Sequence, residues 1–327
     1  MYSYGGTVYA PPVVAILPKN QAFVFVKPHA ATDKVTNFVK KELEAKGLKV
    51  LSEGEIKSDE IDQKKLIDQH YYSIASKATI LKPEALNVSS DKFKAAFGVE
   101  WSDALNKKQV FNALDACTEL KITPEQMNSI WADASKANKL VKFGGGFYCG
   151  QVTYKKRSLY VFNGFFMEMR NAFTAPGKKI HYYTVEWEEA DLPWADFRGK
   201  VLGPTDPKSA PVDSLRGSIL KSWKDMGLKS EPNVGYNAVH GSASPFEAMA
   251  ERMNWLGFDC PRDSFCTALV KAGVPHETIK KWSLDPQVVV DNTGKKGSVF
   301  DALEDLGTAA TVQKVKLLST LQQASPK

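Results

Sequence analysis

One of the five histidines in the 327-residue chain stands in a setting that suits nucleophilic chemistry. His240 lies within Asn237-Ala238-Val239-His240-Gly241-Ser242-Ala243-Ser244, and a helix-start signal follows at once. Ser244 is an N-cap residue, Pro245 fits the first helical position, and Glu247 stands three residues after the cap. The histidine is therefore expected at a strand end, just before a helix N-terminus, where free backbone N–H groups and the helix dipole favour anions. A neutral imidazole near pH 7 is a competent nucleophile, and its product with a phosphoryl group is a high-energy phosphohistidine. Phosphoryl transfer asks little else of a protein than positioning and positive charge around the phosphate oxygens. Residues suited to that task fall at the ends of several expected elements: Lys27, Tyr71, Thr205, Arg216 and Asn237.

The elements that must position them can be read from periodicity. Ala22-Phe23-Val24-Phe25-Val26 is an apolar run of strand length ended by Lys27-Pro28. Asp33 to Lys46 is helical, with Val35, Phe38, Val39 and Leu43 on one face and Gly47 placed as a C-cap. Leu48 to Leu51 reads as a second strand, so the chain opens as strand, helix, strand, in an α/β or α+β domain. Asp62 to Ser76 is expected to be one helix carrying His70 and Tyr71, and Thr79 to about Asn138 to be helical in short pieces. Phe147–Tyr154 and Leu159–Phe162 flank Lys155-Lys156-Arg157-Ser158 as a β-hairpin. A helix begins near Phe165 and stops before Pro176-Gly177, His181 to Trp187 is strand-like, and a helix around Ala195 to Leu202 ends at Gly203-Pro204. The helix after His240 runs to about Trp255. A faint internal echo links Lys107-Lys108-Gln109-Val110-Phe111-Asn112-Ala113-Leu114 with Lys296-Gly297-Ser298-Val299-Phe300-Asp301-Ala302-Leu303, and Ile122-Thr123-Pro124-Glu125 and Trp131 with Val274-Pro275-His276-Glu277 and Trp282.

The bulk properties narrow the partners. Lysines and arginines exceed acids by 43 − 37 = 6, which suits an anionic ligand such as a nucleotide. The lysines are scattered rather than striped and no nucleic-acid motif occurs, so nucleic acid is not the expected partner. Cys117, Cys149, Cys260 and Cys266 lack metal-ligand spacing and are expected to be reduced thiols of a cytosolic protein. The start of the chain lacks the pattern of a signal peptide, and no apolar stretch is long enough to span a membrane, so a soluble intracellular protein is expected.

Four separated segments resemble the nucleoside diphosphate kinase family. They are Phe25-Val26-Lys27-Pro28; His70-Tyr71; Leu202-Gly203-Pro204-Thr205-Asp206-Pro207 through Ser209-Ala210-Pro211 to Ser214-Leu215-Arg216-Gly217; and Asn237 through Ser244. They occur in the family's order, with its spacing of eleven between Thr205 and Arg216. The resemblance implies an α+β fold: a ferredoxin-like, four-stranded antiparallel sheet covered by helices. It implies that His240 takes the γ-phosphate of a nucleoside triphosphate and gives it to a diphosphate in a ping-pong cycle. Glu251 would hold the other imidazole nitrogen, and Tyr71 would assist His240 and the transferring group. Lys27 and Arg216 would bind phosphate oxygens and Thr205 the β-phosphate, while Lys27 and Asn237 would bind sugar hydroxyls. Phe165 would stack on the base, and Mg²⁺ would ride on the nucleotide phosphates rather than in a protein cage.

The chain also departs from that pattern. His29 and Ala30 replace an aspartate and a glycine after Lys-Pro, and His29 reads as a surface replacement. Gly199 stands where the family has an arginine, with Arg198 and Lys200 beside it as substitutes after a small helix shift. Ala243 replaces an aspartate, and about eleven extra residues between Arg216 and Asn237 lengthen a loop used in the family's trimers. These changes imply reduced activity and put the usual hexamer in question. The resemblance covers 21–77 and 160–258. It leaves an N-terminal tail (1–20), a mostly helical insertion with a hairpin (78–159) and a helical C-terminal extension (259–327). Such appendages suggest a dedicated location. A weakly active scaffold with a cytoskeletal or axonemal partner, in a cilium or flagellum, is therefore the alternative to a cytoplasmic enzyme.

Overall fold

The structure is a computed structural model that describes residues 17–324. Most of the expected tail, residues 1–16, and the last three residues lie outside the described residues. Ten strands occur among the described residues: β1 (Asn20–Val26), β2 (Lys49–Lys57), β3 (Val110–Asn112), β4 (Leu140–Gly144), β5 (Phe147–Tyr154), β6 (Arg157–Phe162), β7 (Lys179–Trp187), β8 (Val239–Gly241), β9 (Gln287–Val289) and β10 (Lys296–Ser298).

The central sheet has the order β2-β7-β1-β8 and is antiparallel throughout. Helix Asp33–Ala45 joins β1 to β2, and β7 leads through helices to β8. Two strand–helix–strand halves thus interleave, which is the ferredoxin-like arrangement. β1 is central and buried on both faces, which explains its unbroken apolar run. Ala22, Val24 and Val26 pack with Val35, Val39 and Leu43 of helix Asp33–Ala45 on one face. Phe23 and Phe25 pack with Ile61, Ile67, Phe173 and Trp255 on the other.

The expected single helix over 62–76 is instead three short helices, Ser58–Gln63, Leu66–His70 and Tyr72–Ala75. Lys65 sits in the left-handed region at φ 53°, and Tyr71 leaves helical geometry at φ −106°, ψ 40°. Periodicity alone does not register breaks that tertiary packing imposes. The buried Arg170 holds this segment against helix Phe166–Thr174, donating from Nε to both oxygens of Asp68 at 3.0 Å and from Nη2 to Asp62 at 2.5 Å.

The insertion contains more sheet than its sequence suggests. A second sheet of order β3-β6-β5-β4, with β3 and β6 parallel, backs the helices Ala113–Leu120 and Pro124–Lys136. The β5–β6 hairpin forms as expected, and β6 runs across residue 160, where the insertion was expected to end. Its two helices cap well: Asn112 Oδ1 accepts from Asp115 N at 2.8 Å, and Thr123 and Gln126 form a reciprocal capping box. The C-terminal extension is helical apart from the short β9–β10 pair, and it shares a core with the helix after His240. Phe246 and Met249 of that helix pack with Phe265, Leu269, Trp282, Val299 and Leu303. The two echoed segments each hold a short strand and a capped helix, but three residues out of register: Val110–Asn112 is strand, whereas Val299 already begins a helix. Their strands pair differently, β3 parallel to β6 and β10 antiparallel to β9. Cys260 and Cys266 form a disulfide, which corrects the expectation of reduced thiols, while Cys117 and Cys149 are free and buried. No described helix is long and apolar enough to cross a membrane.

Candidate active site

β8 is only three residues long, and its pairing with β1 sets His240 directly opposite Phe25. Both side chains then leave the same face of the sheet, and their rings stack with centroids 4.6 Å apart. His70 meets the imidazole edge-on at 4.7 Å. The strand enters through Ala238, which is held at φ 68°; its carbonyl accepts from Lys27 N at 2.8 Å. A left-handed residue here turns the chain so that Asn237 and His240 serve one cavity.

Glu251 comes from helix Pro245–Leu256, whose N-cap is Ser244 as expected. Its Oε1 lies 2.5 Å from His240 Nε2, and its Oε2 accepts from Ser242 Oγ at 2.5 Å. Ser242 in turn accepts from Phe23 N at 2.9 Å, so the carboxylate is tied through Ser242 to β1. Nδ1 of His240 makes no hydrogen bond among the described residues. Burial, with Lys27, Arg216 and Arg198 nearby, holds the imidazole well below its usual pKa, hence neutral. Burial raises Glu251 to about 8 despite the hydroxyl of Ser242. His70, His240 and Glu251 offer donor atoms within 4.8 Å of one another, but the hydrogen bond between His240 and Glu251 already uses one atom of each.

A cavity of about 470 Å³ opens over His240. Lys27, Tyr71, Arg198, Thr205, Arg216 and Asn237 all line it. Lys27 follows the last residue of β1, and its ammonium has no hydrogen bond or ion pair among the described residues. Burial and Arg216 lower it to about 8, as expected for an amine that lacks an anion. Arg216 follows the N-cap Ser214. Its Nε and Nη2 donate to Val239 O at 3.1 and 2.8 Å and its Nη1 to Gly203 O at 2.6 Å, so the guanidinium also braces the strand that carries His240. Gly217 beside it is required by close approach, since a Cβ there would lie 2.0 Å from Pro211 O. Asn237 donates to Thr205 O at 3.0 Å, while its buried Oδ1 has no partner among the described residues. Burial pushes the Tyr71 hydroxyl up to about 12, so it stays protonated.

Of the two cations flanking Gly199, Arg198 is the one at the cavity. Lys200 is exposed, paired with Asp196 at 2.9 Å, and does not line it. The segment Phe197–Leu202 is wound as a wide π-type turn, which advances fewer degrees per residue than an α-helix and so shifts the register of this face. Phe165 lines a neighbouring cavity of about 310 Å³ that shares Lys27 and Tyr71 with the first. It packs against Trp131 and Tyr148 of the insertion. His29 corrects the surface expectation. It is half-buried in this second cavity, where its Nε2 accepts from Ala238 N at 3.2 Å and its ring meets Tyr236 edge-on. Burial and Lys27 lower it to about 4, consistent with the neutral ring that this acceptor role requires.

Sequence reasoning missed Glu247, Asp305 and the bracing role of Ser242. Ser242 lay in view inside the motif. Glu247 read only as a capping residue, and it does turn back to accept from Ala243 N at 3.2 Å, but it also lines the cavity beside the alanine that replaces an aspartate. Burial and Glu251 push its carboxyl well above the usual range. Asp305 is 65 residues beyond His240, and no local signal points to it.

No family model matches the chain. A nucleoside diphosphate kinase of Pyrobaculum aerophilum is 40% identical over 57 residues, which is 17% of this chain and 31% of that protein. The match thus spans about a third of the relative's length. Among solved structures, the apo nucleoside diphosphate kinase of Encephalitozoon cuniculi aligns at 15% identity and TM-score 0.37, over 73% of this chain and 90% of that one. The Pyrobaculum aerophilum enzyme aligns at 17% identity and TM-score 0.35, over 75% and 99%. In its four motif blocks and its 57-residue match, the chain resembles the nucleoside diphosphate kinases, as a divergent relative with an insertion and a C-terminal extension.

Proposed function

We propose that the chain is a nucleoside diphosphate kinase that works through phosphohistidine at His240. The observation that carries this reading is the partly buried imidazole held by Glu251 through Nε2, with Nδ1 unpaired among the described residues beneath a cavity lined by Lys27, Arg198 and Arg216. Nδ1 would attack the γ-phosphorus, the bond to the β-phosphate oxygen would break, and the diphosphate would leave. The positive charge that develops on the imidazole is met by Glu251 through Nε2–H. A second diphosphate would then take the phosphoryl group by the reverse step. Lys27 and Arg198 would meet the phosphate oxygens, with Arg216 beside them, and Tyr71 would lie against the transferring group. Thr205 would meet the β-phosphate. The unpartnered Oδ1 of Asn237 suits a sugar hydroxyl, and Phe165 would offer a ring to the base. Mg²⁺ enters as part of the nucleotide substrate. The lining of mainly cations and neutral donors suits binding it on phosphates rather than in a carboxylate cage.

Incubation with γ-labelled ATP should give an alkali-stable, acid-labile label that passes to any nucleoside diphosphate. An unlabelled, folded wild type, or equal labelling of His240→Ala, would remove the reading. A second reading, a scaffold with little turnover in a cilium or other cytoskeletal assembly, is favoured by Arg216, whose guanidinium donates to the Val239 and Gly203 carbonyls. It predicts no label, tight sedimentation of the full chain with cytoskeletal filaments, and ciliary localisation of a tagged copy.

A further inference from the structure

The C-terminal extension reaches into the wall of the cavity over His240. The turn between helix Val299–Leu303 and helix Thr308–Ala324 carries Glu304 and Asp305. Both accept from the same atom of Arg198: Nη1 lies 2.6 Å from Glu304 Oε1 and 2.7 Å from Asp305 Oδ1. Nε and Nη2 of Arg198 make no hydrogen bond among the described residues. Asp305 also lines the cavity, alongside Arg198 and His240.

The turn is built to stay there. Asp305 N donates to Ala243 O at 3.0 Å, three residues after the nucleophile. Asp305 itself is held at φ 62°, a conformation that a non-glycine residue keeps only when its surroundings enforce it. Two residues later, Gly307 passes so close to Glu189 that a Cβ would lie 1.8 Å from its carboxylate. Thr308 then donates from N and Oγ1 to the buried Asn20 Oδ1 at 3.0 and 2.9 Å, which anchors the turn to the start of β1.

We propose that Glu304 and Asp305 are positioning residues for phosphate recognition. By holding Nη1 they aim the free Nε–Nη2 edge of Arg198 into the cavity. This rests on the reading of that cavity as a nucleotide phosphate site. An arginine displaced from the expected position by one residue needs a new support, and the extension supplies it. A guanidinium gripped on one nitrogen keeps a two-donor edge of the shape that phosphate oxygens accept. The grip also removes rotamers that a half-exposed arginine would otherwise sample.

The opposite consequence of the same contacts would be occlusion, with the carboxylates competing with phosphate for Arg198. The sign of the effect on binding separates the two. Binding of a non-hydrolysable ATP analogue to the full chain is measured by calorimetry for wild type, Glu304→Gln/Asp305→Asn, Arg198→Ala and the triple variant. Positioning predicts that the double variant binds about three- to tenfold more weakly, the range of a half-exposed ion pair. In the Arg198→Ala background the same two changes should then have no further effect. It also predicts that Asp305→Glu in the Glu304→Gln background recovers part of the loss. Tighter binding by the double variant, or unchanged binding, overturns the proposal, as does an equal loss in the Arg198→Ala background. Circular dichroism melting checks that the variants fold. Wild type that binds the analogue but takes no label removes the proposed reaction and leaves this comparison intact. Wild type that binds no nucleotide removes both.

Discussion

The two walls of the cavity over His240 are built in different ways. The near wall is local: β8, the turn at Ser242 and the first turns of helix Pro245–Leu256 supply His240 and Glu251 within eleven residues, and β1 locks them through Phe23 and Phe25. Glu251 is buried, and His240 shows only a small part of its ring to the cavity. The far wall is assembled from distant pieces. Arg198 from a π-type turn is held by Glu304 and Asp305, which lie more than a hundred residues later, and all three are partly exposed. A buried hydrogen bond between a charged and a neutral group is worth more than an exposed ion pair, because desolvation raises the cost of losing it. The near wall should therefore carry the chemistry and the far wall should tune affinity.

That contrast can be broken by experiment. The largest effect is expected for His240→Ala, which should lower labelling by more than about 10³-fold, since the attacking imidazole is removed. Autoradiography with alkali treatment checks it, and retained label would move the nucleophile elsewhere. Glu251→Gln should cost about 10²-fold in labelling rate, the worth of a charge-assisted buried hydrogen bond that strengthens as the imidazole becomes cationic. Rapid-quench labelling at saturating nucleotide reads this directly. Arg198→Ala should cost no more than about tenfold, mainly in KM, in line with its partial exposure. If the last two effects were equal, the distinction between the walls would be lost.

The smallest effect sharpens the near wall itself. Glu251 must be ionised to accept Nε2–H; once protonated it would donate to Nε2 instead and shift the imidazole proton onto Nδ1. With Glu251 raised to about 8, labelling should climb as pH rises toward that value. Lys27, lowered to about 8, loses its charge above it, so labelling should fall again on the alkaline side. The profile should be a narrow bell near pH 8, with a few-fold change over one pH unit. Lys27→Arg should remove the alkaline limb, because arginine does not titrate there. An alkaline limb that persists in this variant would assign it to another group.

Much of the near wall was legible because its information is local. Ser244-Pro245-Phe246-Glu247 specifies a helix start by capping chemistry, and the apolar run of β1 specifies a buried central strand. The helix Asp33–Ala45 came within a residue of its expected end for the same reason. The single helix expected over 62–76 failed because Lys65 and Tyr71 break it to meet long-range partners such as the Asp68–Arg170 pair. The surface reading of His29 failed because its neighbours Ala238 and Tyr236 lie more than two hundred residues away. The paired Cys260 and Cys266 were read as free because five intervening residues give no sign of the turn that brings them together.

By itself the sequence determined the candidate histidine, the helix that follows it, the cations that line its cavity and the apolar run of β1, since these follow from residue type, capping and short-range periodicity. Only the tertiary structure decided which flanking cation serves the cavity. Arg198 and Lys200 are equivalent in charge and differ in sequence by two positions. The turn that carries them rotates one toward Glu304 and Asp305 and the other toward Asp196. That choice depends on where a C-terminal extension docks, and docking is fixed by a shared core and by long-range hydrogen bonds, which no local pattern encodes.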